Sequence, residues 1–396
     1  MSKIKVNSLE GVGASTPAIS IDNTSGACTA NLTSIGGSHL SNRNKVINGA
    51  MNVSQRIGTT IQTGLTGNVS AYYIDRFRLE LDNLGTWSLS QSTDSPDGFA
   101  NSLKLDCTTA DGSPASSDLL MISHRFEGQD LQDLQKGTSG AKKVVVSFYV
   151  KSTKTGTFVV ELVDKDNSSR HINKTYTVSN TNWNRYTIEF AGDTTGVLGN
   201  DNTRSIDLNF WLGGGSNYTS GTLQTSWGAD TNANRYVGGT NLADSTSNEF
   251  YITGVQFEVS DMGVATDFEH RSYGLELDLC KRYYQQYGID SFGNNTKRLS
   301  LPFINEAASN TGGYINFRFE REMRGTPTAT IGSTLELGEP QVDRGSYVVS
   351  SFNSLHAQGS DFFQFSGGQL GSEGNSNRYI RFGHDATAFA KFSAEL

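Results

Sequence analysis

The residue types best suited to holding a small ligand are concentrated in one long polar stretch, residues 213–239. An aromatic ring can stack on the apolar face of a sugar, while amide, carboxylate or guanidinium groups bond its hydroxyls. Loops of this length are uncommon unless they bind or cover something. The stretch therefore predicts a sugar-binding loop with four candidate contacts: Tyr218, Trp227, Arg235 and Tyr236.

The same stretch allows a second interpretation. Trp227 and Tyr236 can instead anchor the loop on its own domain or fill a subunit interface, because large aromatic side chains are favoured in both places. Another candidate surface lies towards the C-terminal end, around Tyr347, His356 and residues 375–378. The sequence leaves these alternatives open.

Motifs for catalysis or metal binding are not evident in the sequence. The six histidines are scattered, and none stands in an HExxH or Ser-His-Asp motif. Carboxylates are plentiful, so a pair flanking a glycosidic bond remains the alternative to pure binding. The acidic stretch 164–167 (DKDN) could bind Ca²⁺, but it lacks the twelve-residue EF-hand pattern and is read as a solvated turn. We expect no enzyme activity, no cofactor and no resident metal.

The composition of the chain limits the kinds of partner that it is expected to bind. The net charge of −8 disfavours nucleic acid, which requires a basic face to neutralise phosphates. The chain has no apolar run of 18 residues and no apolar N-terminal segment, so we expect neither membrane insertion nor a secretory signal. The three cysteines match no zinc spacing, and Cys107 and Cys280 are predicted to be small buried side chains.

The chain divides into three parts. Residues 1–45 contain no aromatic residue and predict an extended segment that needs a partner for its order. Residues 46–288 alternate as about nine strands without a repeat period, which indicates an antiparallel β-sandwich. Residues 289–396 alternate again and predict a second β domain.

One helix is predicted at the end of the middle part, over residues 272–287. Ser272 is a good N-cap residue, and an apolar residue recurs every fourth position from Leu275 through Leu279 and Tyr283 to Tyr287. The fold class is therefore all-β, with an N-terminal extended anchor, a central jelly-roll sandwich closed by one short helix, and a C-terminal β domain.

Several segments resemble proteins of tailed bacteriophages. The opening KIKVNSLEGVG, the NKVINGAMNVSQR of residues 44–56, the FEHRSYGLELDLCKRYY of residues 268–284 and the FEREMRGTPTATI of residues 319–331 resemble tail fibres and other virion appendages, in particular those of marine podoviruses. The resemblance implies a virion protein made in the host cytoplasm. It also implies that the N-terminal segment binds another virion protein, such as a tail adaptor or nozzle.

Two further segments resemble jelly-roll carbohydrate-binding modules: residues 146–164 (VSFYVKSTKTGTFVVELVD) and residues 182–192 (NWNRYTIEFAG). In such modules the aromatic residues matching Trp183, Tyr186 and Phe190 mark a strand that packs one sheet on the other. Trp183 is accordingly expected in the core.

Together these features predict a non-enzymatic tail fibre, homotrimeric, that attaches the virion to a host-cell surface glycan. A purely structural virion component (a head fibre, decoration protein or connector) and a polysaccharide-degrading tailspike are the alternatives. Trimerisation is expected because fibres use symmetric closure to cover exposed strand edges.

Overall fold

The fold is taken from a computed structural model of the 396-residue chain. It describes residues 42–260, 263–287, 313–331 and 390–396, together with Thr24 and nine short strands elsewhere. Three of those strands lie in the N-terminal part and form an antiparallel sheet: β1 (Ser8–Leu9), β2 (Ile19–Ile21) and β3 (Cys28–Ala30).

Residues 62–259 contribute twelve strands to two six-stranded antiparallel sheets. In chain order they are β4 (Gln62–Leu65), β5 (Asn68–Ile74), β6 (Phe77–Asp82), β7 (Thr86–Ser92), β8 (Ser102–Thr109), β9 (Leu119–Glu127), β10 (Val144–Ser152), β11 (Gly156–Asp164), β12 (Arg170–Val178), β13 (Asn184–Phe190), β14 (Arg204–Gly214) and β15 (Glu249–Val259). The front sheet has the order β13-β10-β15-β8-β7-β4, and the back sheet has the order β12-β11-β14-β9-β6-β5.

The core lies between these two sheets. Alternate residues of each strand point inward, as the two-residue period of a strand requires. On β10 these are Val144, Val146, Phe148 and Val150, all buried. The core is continuous across both sheets, so the middle part of the chain is one jelly-roll sandwich, and the predicted all-β class is confirmed.

The predicted helix is shorter than expected. It is capped by Ser272, whose Oγ accepts from the Leu275 amide, but it ends at Lys281. Leu275 was expected on the buried stripe and is 49% exposed; the residues that the helix buries are Glu276 and Cys280.

The next residues form a strand, β16 (Tyr284–Tyr287), and so the prediction of a helix through residue 287 is wrong. Within the described part of residues 42–287 there are two α-helices, α1 (Ser216–Thr219) and α2 (Tyr273–Lys281), and a seven-residue 3₁₀ helix, Gly128–Leu134. The nine strands that follow β16 are β17 (Leu301–Asn305), β18 (Gly313–Arg318), β19 (Thr328–Ile331), β20 (Leu335–Glu339), β21 (Val342–Val349), β22 (Ser354–Ala357), β23 (Phe362–Ser366), β24 (Tyr379–Phe382) and β25 (Ala390–Ser393).

The last part of the chain contributes to two sheets. Seven of its strands form one sheet in the order β21-β20-β24-β17-β18-β23-β22. The other sheet, β16-β25-β19, joins the end of the middle part to the end of the chain, and it contacts the sandwich through Glu395, which pairs with Arg56 and Arg76.

Cys107 and Cys280 are buried and free, as predicted. Within the described ranges, no helix has the length and apolar character needed to cross a membrane.

Candidate functional site

The long polar stretch is folded as a cover, which we define as residues 215–239, on the outer face of the back sheet. It contains α1 and a short 3₁₀ turn, Asn232–Asn234. Its backbone bonds to β12: the His171 amide donates to the Gly228 carbonyl, and the Gly228 amide donates to the His171 carbonyl. The Asn173 amide donates to the Gln224 carbonyl in the same way, so the cover pairs with the edge strand of the sheet.

Two of the four predicted sugar contacts are residues of the cover whose side chains point into the back sheet. Tyr236 is 1% exposed; its ring stacks on Trp211 at 5.7 Å between centroids, and its hydroxyl donates to the Thr240 carbonyl at 2.6 Å. Arg235 donates from Nε and Nη2 to the two carboxylate oxygens of buried Glu161, at 2.7 Å each. The prediction that Tyr236 offers a stacking face is wrong, because both the ring and the hydroxyl are used to hold the cover. The Arg235 guanidinium is likewise committed to Glu161.

The other two predicted contacts are half-buried. Tyr218 packs against Trp211 at 5.2 Å between ring centroids. Trp227 donates from Nε1 to the Ala191 carbonyl at 2.8 Å and lies beneath the Lys136 ammonium at 5.5 Å. All four residues therefore anchor the cover to its own domain, which is the second interpretation of the sequence. A ligand role for Tyr218 and Trp227 stays a prediction.

The acidic turn 164–167 is held by its own hydrogen bonds. One oxygen of Asp164 accepts from the amides of Asp166 and Asn167, and the other pairs with Lys136. In the described part of the chain no cluster of three or more His, Cys, Asp or Glu side chains could hold a metal ion. The surface around Tyr347, His356 and residues 375–378 lies outside the residues whose side chains are described.

A group of aromatic and charged side chains lies on the outer face of the front sheet, where Lys104 and Lys151 are partly exposed and Tyr251 is 6% exposed. Lys104, Tyr251 and Lys151 are in register on β8, β15 and β10, and they point away from the core. Both ammonium groups lie 5.4 Å from the Tyr251 ring centroid. Half-buried Trp183, just ahead of β13, extends the row and meets Tyr251 edge-on at 6.2 Å.

Two carboxylates complete this group, which we call the front-sheet row: Asp94, Lys104, Lys151, Trp183, Glu249 and Tyr251. Asp94 accepts from Lys151 at 2.6 Å and from the Trp183 indole at 2.9 Å. Glu249 accepts from Lys104 at 2.6 Å and from the Tyr251 hydroxyl at 2.8 Å. Each carboxylate thus holds one lysine and one aromatic ring in place.

These contacts set the charge state of the row. Partial burial by itself would raise the pKa of Asp94, but hydrogen bonds from Lys151 and Trp183 hold that pKa below its usual range. Partial burial would likewise raise the pKa of Glu249, but hydrogen bonds from Lys104 and Tyr251 lower it. Both groups are therefore ionised at neutral pH, and both act as acceptors.

An aromatic cluster borders the row on the same face. Phe99 lies 5.2 Å from Tyr149, 5.0 Å from Phe268 and 5.1 Å from His270 between ring centroids. The cluster sits over Gly254, where the pairing of β10 with β15 shifts register. The front face therefore offers aromatic surface next to paired donors and acceptors.

The structure corrects one expectation about this face. Trp183 was expected in the core beside Tyr186 and Phe190; Phe190 is buried and Tyr186 packs against the core, but Trp183 lies on the outer face. The sequence reasoning did not identify Tyr251 or Lys151. Strand parity could have found them, because both occupy outward positions in strands whose alternate residues are apolar.

No protein-family model matches the chain, and no curated protein matches it. Solved structures that match part of the chain include the enzymatically active domain of tailspike protein 4 of bacteriophage CBA120, at 11% identity and a TM-score of 0.28 over 55% of this chain and 21% of that one. They also include the family 11 carbohydrate-binding module from Clostridium thermocellum, bound to a mixed-linked tetrasaccharide, at 11% identity and a TM-score of 0.27 over 52% of this chain and 99% of the module. A third is TmCBM61 bound to β-1,4-galactotriose, at 9% identity and a TM-score of 0.28 over 55% and 99%. The chain thus spans about a fifth of the tailspike domain.

Proposed function

We propose that this protein binds a glycan on the outer face of its front sheet. The observation that carries the proposal is the front-sheet row, in which an indole ring and paired charged groups stand side by side on one accessible surface. A sugar can stack on the indole while its hydroxyls accept from the lysines and donate to Asp94 and Glu249. Because the carboxylates already orient these groups, little side-chain freedom is lost on binding.

The charge state of the row favours binding without catalysis. Glycoside cleavage requires one carboxylic acid that is still protonated near neutral pH, and its pKa is therefore raised. Both carboxylates of the row have lowered pKa values, so neither supplies a proton to a leaving group. The polysaccharide-degrading tailspike is the less favoured alternative for this reason.

Two tryptophan variants test the location of the site. Trp183→Ala removes the half-buried indole of the row, whereas Trp227→Ala removes an indole of similar burial that belongs to the cover. Loss of a well-placed interface aromatic typically costs about 1–3 kcal/mol, or roughly 5- to 150-fold in affinity. We expect that loss for Trp183→Ala only, measured by titration calorimetry with polysaccharide purified from the host surface.

The same comparison can refute the proposal. If Trp227→Ala weakens binding and Trp183→Ala does not, the ligand lies on the cover, as the sequence first indicated. If neither variant changes the affinity while the wild type binds, the site lies elsewhere. The thermal transition of each variant is measured alongside, so that a loss of binding is not mistaken for unfolding.

We further propose that this binding serves attachment of a bacteriophage virion, as a homotrimeric, non-enzymatic tail fibre. Support comes from the resemblance of the N-terminal and α2 segments to virion appendage proteins. A head fibre, decoration protein or connector is the alternative, because the same resemblance to virion appendage proteins suits a protein located on the capsid.

Deletion of residues 1–40 tests the virion assignment, because the described sandwich begins after them. The shortened protein is expected to remain a soluble trimer by native mass spectrometry but to be missing from purified particles. Normal incorporation would overturn the anchor, and a stable monomer of the full chain at micromolar concentration would overturn the trimer. Labelling of intact virions then separates a tail position from a capsid position.

A further inference from the structure

A buried ionic network lies between the cover and the back sheet. His171, on β12, has no exposed surface, and its Nδ1 is 3.6 Å from a carboxylate oxygen of Glu161 on β11. Two charged groups reach the network from the cover itself: Asp230, at 3.9 Å from the same nitrogen, and Arg235. His171 also carries the two backbone bonds to Gly228, and so it lies at the point where the cover is fastened.

The geometry favours a neutral imidazole in this closed arrangement. Both ring nitrogens of His171 are buried without a hydrogen-bond partner. Glu161 is already neutralised by the two bonds from Arg235, and it also accepts from Asn209 and Trp211 at 2.9 Å each. Burial is the main reason that the pKa of His171 is lowered. The positive charge of Arg235 also lowers this pKa, while the carboxylates of Glu161 and Asp230 raise it.

We propose that the cover, residues 215–239, is an acid-released lid over the Trp211 ring and the polar side chains beside it on the back sheet. A histidine with a lower pKa in the closed form than in the open form binds its proton more readily when the cover is open. The closed form is therefore favoured at neutral pH, and this preference is lost as the pH falls below the pKa of the exposed histidine. For an exposed histidine that value is about 6.5. Release therefore begins below about pH 6.5 and continues until the closed form is itself protonated.

The surface beneath the lid combines one aromatic ring with apolar and polar side chains. Trp211 lies there beside Val159, Asn209 and Glu161, and Tyr236 of the cover stacks on the Trp211 ring in the closed form. Opening the cover would expose the Trp211 ring together with these polar groups. This proposal concerns the back sheet and goes beyond glycan binding at the front-sheet row.

Amide hydrogen exchange measures the opening directly. Protection factors, corrected for the intrinsic effect of pH, are compared at pH 7.5 and pH 5.0 for peptides of residues 222–236 and for peptides of β10 and β15. We expect protection of the cover to fall by up to about 30-fold at the lower pH, the ratio set by an open-state pKa of about 6.5. The strands of the front sheet should keep their protection, which separates release of the cover from acid unfolding.

The variant His171→Gln has no titrating ring, and its cover should exchange at a rate that does not depend on pH beyond the intrinsic correction. Exchange of the His171 C2 hydrogen in the wild type gives its pKa without a substitution, and we expect a value below about 6.5. Full protection of the wild-type cover at pH 5.0, an unshifted His171 pKa, or the same acid release in a folded His171→Gln protein would each overturn the proposal.

Discussion

Among single residues, the buried Arg76 shows most clearly how Glu395 contacts the sandwich. Arg76 is 1% exposed, and its guanidinium stacks on the Tyr283 ring at 3.5 Å and donates to the Arg125 carbonyl at 2.6 Å. Its charge partner is Glu395, which also pairs with Arg56 at 2.8 Å. A buried cation without its carboxylate is costly, so a residue near the end of the chain stabilises the middle of it.

Glu395→Gln is therefore expected to lower the free energy of unfolding by about 1–3 kcal/mol, because Arg76 loses its compensating charge while the shape is kept. Glu189→Gln is the matched control: Glu189 pairs with Lys143 at 2.9 Å, but the two side chains are 42% and 47% exposed. Surface pairs of this kind contribute about 0–1 kcal/mol. Urea unfolding of both variants measures the difference, and equal losses would show that the pair with Arg76 is not a stabilising contact.

Among the elements, β15 positions the candidate face through one irregularity. The register of β10 against β15 shifts between Ser147 and Tyr149, and Gly254 lies opposite with a φ of +61°. A Cβ at this position would meet the rings of Phe99 and Tyr149, both at 2.8 Å. The bulge therefore needs glycine for its backbone and for the space that the aromatic cluster occupies.

Gly254→Ala is expected to destabilise the protein by at least about 1 kcal/mol more than Gly64→Ala, since both place an alanine in the left-handed region but only the first meets a clash. Gly64 has a φ of +68°, and a methyl group added there would have no neighbouring atom within 4 Å. Thermal unfolding compares the two variants. Glycan affinity should fall with Gly254→Ala alone, because the rings beside the row are displaced; an equal effect of both substitutions would contradict this account of the bulge.

On the scale of the whole molecule, the sheet β16-β25-β19 links distant parts of the chain. Ile331 at the end of β19 is the register partner of Ala390 at the start of β25, and Tyr287 at the end of β16 pairs with the same alanine. Residues 332–389 are thus inserted between two adjacent antiparallel strands. Residues on both sides of that insertion contact the sandwich: Arg324 donates to the Asn202 carbonyl at 2.8 Å, and Glu395 pairs with Arg76.

A two-residue Asn-Gly turn in place of residues 332–389 leaves β17 and β18 paired only with each other. It is still expected to preserve the thermal transition of the sandwich, because such a turn joins directly paired antiparallel strands. Truncation after residue 288 should instead destabilise it, since this removes Glu395 and the strand partner of β16 and uncovers Tyr283 and Tyr284. Calorimetry measures the thermal transitions of the two proteins. A truncated protein as stable as the full chain would show that the sandwich is independent of the last strand.

The sequence by itself determined the features that depend on local pattern. Alternation of apolar residues predicted the all-β class, although about nine strands were expected in the middle part and the sandwich has twelve. Ser272 predicted the start of α2, because capping chemistry acts over a few neighbouring residues. The burial of Cys107 and Cys280 followed from their positions in such patterns.

Only the tertiary structure decided which aromatic rings are covered. Tyr236 and Trp183 both stand in polar surroundings in the sequence, yet Tyr236 is buried against Trp211 while Trp183 lies on the outer face of the front sheet. The end of α2 at Lys281 likewise depends on β25, far along the chain, whose backbone bonds draw Tyr284–Tyr287 into a sheet. Contacts between residues far apart in the chain leave no local period, and so the sequence pattern could not reveal them.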